Sequence, residues 1–244
     1  MLDSILLDNH GFRNYGSEHL IWFILCWALI FGFLYFGKKV WNNDQGKLYV
    51  TIICLLGAAT QIFKLFYRMK IGTFDAANDL PLHLCNLMTL FVPFVVWFKW
   101  RTAWGIIFFW IMAGCAQSLF TPTLTESMPN YEAIRYWLVH STIILAALWG
   151  LVVYGYSLRW RDVLNAWIGI NALALVLYPI NVWLHSNYMY LNGKPPGPTF
   201  YDLLSPWPTY VYQLEFVVLI IFSIFFIIFK SYKHKVAIDE PIRN

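Results

Sequence analysis

Apolar residues run along this chain in long unbroken stretches instead of alternating with polar ones. Seven stretches stand out, at about residues 18–37, 49–66, 82–97, 104–120, 136–154, 163–184 and 210–229. Each holds roughly 16–22 residues, enough for a helix to cross a hydrocarbon core of about 30 Å. The pattern predicts an all-α, polytopic membrane protein, with residues 1–244 forming one seven-helix transmembrane domain. No long internal repeat is evident, which argues against an inverted-repeat transporter fold.

Composition agrees. The 244 residues are 59% hydrophobic and only 12% charged, about half the charge that covers a soluble domain. The 13 Trp and 15 Tyr suit interfacial belts. Net charge is +4, but the basic residues stand singly at span ends, which excludes a nucleic-acid-binding stripe. The four cysteines each fall inside a stretch with no CxxC spacing, so no disulfide framework is expected. Asp3, Asp8 and Arg13 interrupt residues 1–17, which therefore do not read as a signal peptide. The first span is expected to target the chain to the cell membrane as a multi-pass protein. No cofactor and no metal is called for, and membrane lipids are the expected partners.

Loop charges set the orientation. One set of alternate loops carries 11 Lys and Arg, among them Lys38, Lys39, Lys99, Arg101, Lys233, Lys235 and Arg243; the other carries 5. The richer side is expected to be cytoplasmic. That puts the N-terminus outside and the C-terminus inside.

Polar residues then gather in the outer half. Gln61, Lys64 and Arg68 end span 2. Asp79, His83, Cys85 and Asn86 begin span 3. Gln117 and Ser118 end span 4, and His140 and Ser141 begin span 5. Tyr178, Asn181 and His185 end span 6, and Glu215 begins span 7. The inner halves are expected to be apolar apart from Asn165 and Asn171. Spacings of i, i+3 or i+4, and i+7 place three of these sets on single helix faces. Ionisable groups in a membrane are costly and face the bundle interior or a wet cavity. Taken singly, such residues more often serve as hydrogen-bonding glue between helices. Glue has no reason to collect in one leaflet, so a shared pocket is the better reading of the set.

The densest segment is Asn78-Asp79-Leu80-Pro81-Leu82-His83-Leu84-Cys85-Asn86. Asp79 is expected to cap the helix and Pro81 to sit in its first turn. A helix start favours the thiolate of Cys85. His83 lies about 200° round the helix from Cys85, so a base must come from elsewhere. His140 is at matching depth. Cys plus His is the minimal apparatus for a thioester intermediate. A membrane-helix Cys is more often a small apolar residue. Cys115, within Ala113-Gly114-Cys115-Ala116, reads as close helix packing, and Cys26 and Cys54 as core without polar neighbours. Residues 186–208, rich in Pro and aromatics, are expected to cap the pocket from outside.

Leu80-Pro81-Leu82-His83-Leu84-Cys85, Gln117-Ser118-Leu119-Phe120-Thr121-Pro122, His140-Ser141, and Asn187-Tyr188-Met189-Tyr190-Leu191 through Trp207-Pro208 together resemble the bacterial YwaF family over most of the chain. That family is similar to a eukaryotic transmembrane acyltransferase that remodels ether phospholipids. The resemblance implies a Cys nucleophile, matched by Cys85, with a His partner, matched by His140. The related androgen-induced hydrolases use a Thr nucleophile with a His.

Two readings follow. The first is an acyltransferase or lipid hydrolase acting in the outer leaflet through Cys85 and His140. Lys64 and Arg68 would hold an anionic head group, and Asn86, Gln117 or Ser118 would supply oxyanion donors. His83 is the alternative base, and Asp79, Asn181, His185 and Glu215 line the same pocket. The second is a non-enzymatic binder or transporter of a small anion or lipid, which needs no nucleophile at Cys85. A retinal-type light sensor is disfavoured because residues 210–229 hold no Lys.

Overall fold

The computed structural model describes residues 11–196 and 199–230. Every regular element among them is helical. In chain order these are α1 (Ser17–Lys39), α2 (Asn43–Lys70), α3 (Leu84–Trp97), α4 (Arg101–Phe109), α5 (Tyr131–Val152), α6 (Trp160–Leu184) and α7 (Thr209–Lys230). A π-turn at Trp110–Cys115 and a 3-10 turn at Ala116–Leu119 carry α4 onward. Residues 1–10, Gly197 and Pro198, and Lys233, Lys235 and Arg243 lie outside the described residues.

Six of these helices, counting Arg101–Leu119 as one, are long and apolar enough to cross a membrane. Helix α3 is apolar but has 14 residues. That is about 21 Å of helix, less than a hydrocarbon core of about 30 Å. Its start corrects the expectation from sequence. Residues 75–83 fold as turns, with Asp79 N–H donating to the Asp75 carbonyl at 2.8 Å and Leu82 N–H to Leu80 at 2.8 Å. The Asp79 carboxylate is engaged by the Asp75 amide and two cations, so it caps no helix. His83 holds the cap position without a capping hydrogen bond from its side chain. Cys85 is thus the second residue of α3, nearer the helix start than expected.

Local sequence explains the other starts. The Asn42 carboxamide accepts from the Asp44 and Gln45 amides at the head of α2, at 3.1 and 2.8 Å. Asn130 accepts from Glu132 N–H at 2.7 Å and begins α5.

Helix α5 is the buried centre, packed by α1, α2, α3 and α4, with most of its residues enclosed. Glycine permits the closest approaches. Gly37 lies against the Trp149 ring, and Gly150 lies against Trp104, whose indole N–H donates to the Ala147 carbonyl at 2.9 Å. At the basic end of the bundle Arg101 makes two hydrogen bonds to the buried Asp162 carboxylate, at 2.9 and 2.7 Å, fastening α4 to α6. The outer faces expose Leu29, Leu175 and Phe216. Lipid tolerates such a surface and water does not.

Candidate functional site

Asn130 starts α5 where it does, and this puts Glu132, Tyr136 and His140 on one stripe at i, i+4 and i+8, with Arg135 beside it. His140 is buried. Its Nδ1 lies 2.8 Å from the Tyr136 carbonyl. A carbonyl only accepts, so Nδ1 carries the proton and Nε2 of the neutral ring is left to accept one. The Tyr136 ring backs the imidazole at 4.2 Å between centroids. Tyr136 is itself held by donating its hydroxyl to the Ser118 carbonyl at 2.9 Å.

The Cys85 side chain neighbours both the His140 ring and the Cys115 thiol and interacts with each. Cys115 is fully buried and ends the π-turn of α4. Sequence reasoning set Cys115 aside as packing, yet the extra residue of the π-turn brings its sulfur to Cys85. The amides of Leu84, Cys85 and Asn86 belong to the first turn of α3, where no intrahelical carbonyl can accept from them.

A network of charges stands beside this group. Lys64 Nζ lies 3.4 Å from Asp79 and 3.7 Å from Glu132. Arg68 lies 3.3 Å from Asp79 and 3.9 Å from Glu132. Arg135 holds Glu132 at 2.8 Å, donates to Gln61 at 2.8 Å, and reaches Asn86 at 3.5 Å. Gln61, Lys64 and Arg68 do face inward along one side of α2. Glu132 and Arg135 were missed because the fifth span was drawn from Tyr136, which left both in a loop. The i, i+4, i+8 spacing of Glu132, Tyr136 and His140 was the available signal.

The loop after α6 closes over the α3 start. Tyr188 is fully buried. Its hydroxyl donates to the Ala76 carbonyl at 2.7 Å and accepts from Leu80 N–H at 3.0 Å. Burial pushes this phenol up to about 12, so it stays a donor. The rings of Tyr188 and Tyr190 flank His83 at 5.2 and 5.4 Å. Met189 N–H points at His83 Nδ1 at 3.4 Å. Met189 and Tyr190 both adopt positive φ, 57° and 56°, a strained pair held by these contacts. Because His83 Nδ1 faces a donor, its proton resides on Nε2.

Several expected pocket residues are elsewhere. Asn181 is buried, but it clamps the loop: it donates to the Tyr188 carbonyl at 2.9 Å and accepts from Tyr188 N–H and Ser186. His185 ends α6 in a left-handed conformation and is exposed, as is Tyr178. The run of Tyr178, Asn181 and His185 therefore does not form one inward face, because α6 is a peripheral helix with lipid on much of its surface. Glu215 accepts from Asn171 at 2.7 Å, joining α6 to α7. Gln117 is exposed and folds back on the Gly114 carbonyl at 3.2 Å. Ser118 contributes through its backbone. Asp79, His83 and Asn86 share no helix face, since α3 starts after the first two. Cys26 and Cys54 are core, but each has a polar neighbour, Ser141 and the Thr142 carbonyl respectively.

The model of one protein family, the TMEM164 family, matches residues 14–226. No curated protein and no solved structure matches the chain.

Proposed function

The chain belongs to the TMEM164 family of transmembrane proteins, and we propose that it is a membrane-embedded acyltransferase or lipid hydrolase working through Cys85 and His140. The observation that carries this reading is the contact of the Cys85 thiol with a histidine whose Nδ1 proton is fixed by the Tyr136 carbonyl. His140 Nε2 takes the Cys85 proton, and the sulfur attacks the carbonyl carbon of a lipid ester. The tetrahedral oxyanion gains the unserved amides of the first turn of α3. It collapses to a thioester as the ester C–O bond breaks, and His140 returns the proton to the departing alcohol. A second alcohol, or water, then attacks the thioester with His140 again as base. Which of the two attacks separates transferase from hydrolase.

The charge network suits a phospholipid head group. Three cations face two carboxylates, which leaves one positive charge for one phosphodiester. The pairs of Lys64 and Arg68 are long, 3.3–3.9 Å, against about 2.7–2.9 Å for a tight charge-assisted bond. These two can turn to a phosphate while Arg135 keeps Glu132. In this reading α3 and the turns before it complete a seventh crossing. The N-terminus is outside and the C-terminus cytoplasmic, so the site faces the outer leaflet.

The test is labelling of intact membranes with a lipid-like thiol-reactive probe. Wild type should be labelled at Cys85, His140→Ala slowly, and Cys85→Ala not at that site. Labelling at Cys85 that is indifferent to His140→Ala would remove the base. No labelling at Cys85 would favour the binder or transporter, which needs only the charges.

A further inference from the structure

Cys115 is a buried thiol that the acyl-transfer steps leave unused. It ends the π-turn of α4 and neighbours the Cys85 side chain. Gly114 lets the turn come this close: a Cβ there would stand 3.0 Å from Leu84 Cδ2, at the first residue of α3. Cys26 and Cys54 have other neighbours, Ser141 and the Thr142 carbonyl.

Access differs between the two thiols. Cys85 is partly exposed, whereas Cys115 is fully buried in the apolar core. A reagent entering the site therefore meets Cys85 first, and Cys115 reacts through it. Cys85 also has His140 beside it to take its proton, and the thiolate is the form that oxidants attack. A partly accessible, activated cysteine next to a second thiol is the arrangement of a redox-sensing cysteine with a resolving partner.

We propose that Cys85 and Cys115 form a reversible disulfide when a hydroperoxide reaches the site, switching the nucleophile off. Its effect on turnover rests on the nucleophile reading above; the bond itself needs only the two thiols. The Cys85 sulfur attacks the terminal oxygen of the hydroperoxide, ROOH. The O–O bond breaks, Cys85 becomes the sulfenic acid, and the alcohol ROH leaves with the proton held by His140. The Cys115 sulfur then attacks the Cys85 sulfur. The S–O bond breaks, the S–S bond forms, and hydroxide leaves with the Cys115 proton as water. The two thiols give up two electrons and the hydroperoxide takes them. Because Cys115 is already beside Cys85, this closure precedes attack by a second hydroperoxide, which would carry Cys85 on to the sulfinic acid that thiols do not reduce. A thiol reductant reopens the disulfide by exchange.

The experiment uses the full chain in phosphatidylcholine vesicles, treated with cumene hydroperoxide, quenched with N-ethylmaleimide and digested with trypsin. Cleavage after Lys and Arg puts Cys85 on residues 71–99 and Cys115 on residues 102–135, separate from each other and from Cys26 and Cys54. Mass spectrometry should find these two peptides joined in wild type, and parted by dithiothreitol. Ester turnover, measured for each sample against its own untreated rate, should fall by about tenfold or more, as loss of the nucleophile demands, and return with dithiothreitol. In Cys115→Ser, Cys85 should reach the sulfinic acid, with a loss of turnover that dithiothreitol does not reverse. Cys115→Ala serves if that variant fails to fold, and the joined peptide is read in wild type in either case. Cys85 that stays a free thiol, that reaches the sulfinic acid in wild type, or that joins any peptide other than 102–135 would overturn the proposal. So would recovery of Cys115→Ser as complete as that of wild type. The joined peptide accompanied by unchanged turnover would instead overturn the nucleophile reading and leave the disulfide standing.

Discussion

At the scale of residues, the account turns on side chains whose partners fix what they can do. His140 has one nitrogen committed to Tyr136, and Cys85 is close to isosteric with Ser. Cys85→Ser and His140→Ala should each cut ester turnover by at least about a hundredfold, the usual weight of a positioned acid–base group. Both should migrate as folded protein in detergent, because neither strands a buried charge. Turnover within a few-fold of wild type would remove the pair from the chemistry. Lys64 and Arg68 give a sharper case, since both serve the buried Asp79. Lys64→Met or Arg68→Met alone leaves Asp79 one cation, and should lower activity while the chain still folds. The double variant strands that carboxylate, at a cost of about 3–5 kcal/mol, and should lose folded protein on size exclusion. A double variant as stable as wild type would show that these cations do not hold Asp79. The sequence made the α2 cations legible by their spacing. It hid Glu132 and Arg135, because a charged turn at a helix start looks like a loop until its cap, Asn130, is seen to begin the helix five residues before the predicted span.

Among elements, the apolar stretches read well where length alone decides and poorly where the chain must turn inside a stretch. Helices α1, α2 and α7 extend past both ends of their predicted spans, α6 starts three residues early, and α5 starts five residues early at its Asn130 cap and ends two short. Helix α3 is shorter, because Pro81 and the side-chain demands of Asp79 keep residues 75–83 in turns. No hydropathy pattern reports a π-turn, so the approach of Cys115 was invisible. Asn181 and Glu215 shared a depth with the site, but depth carries no information on which neighbour a helix face meets. Packing of α4 on α5 offers a separate test. A Cβ at Gly150 would sit 2.1 Å from Trp104 Nε1, while one at Gly32 meets nothing within 4 Å. Gly150→Ala should therefore lower stability by about 1–3 kcal/mol, visible as a drop in thermal unfolding temperature, and Gly32→Ala should not. Equal behaviour of the two would contradict the close packing at Gly150.

At the scale of the whole molecule, a central α5 lets four helices present groups to one place, and the loop of Tyr188 and Tyr190 covers it. Orientation decides which leaflet supplies the lipid. The excess of basic residues on one set of loops gives the expected result: a reporter after Asn244 scores cytoplasmic, and a tag before Leu2 is reached from outside. An externally accessible C-terminus would move the site to the other leaflet without altering its chemistry. The chemistry itself is tested most directly by trapping the intermediate. The full chain in vesicles is given phosphatidylcholine with an alkyne-tagged acyl chain, quenched in acid, and mapped by mass spectrometry. The expected result is an acyl group on Cys85 that neutral hydroxylamine removes, as it removes thioesters, and that accumulates when His140 is present and is lost in His140→Ala. An acyl group on another residue, or none on Cys85 while the lipid is consumed, would contradict the account.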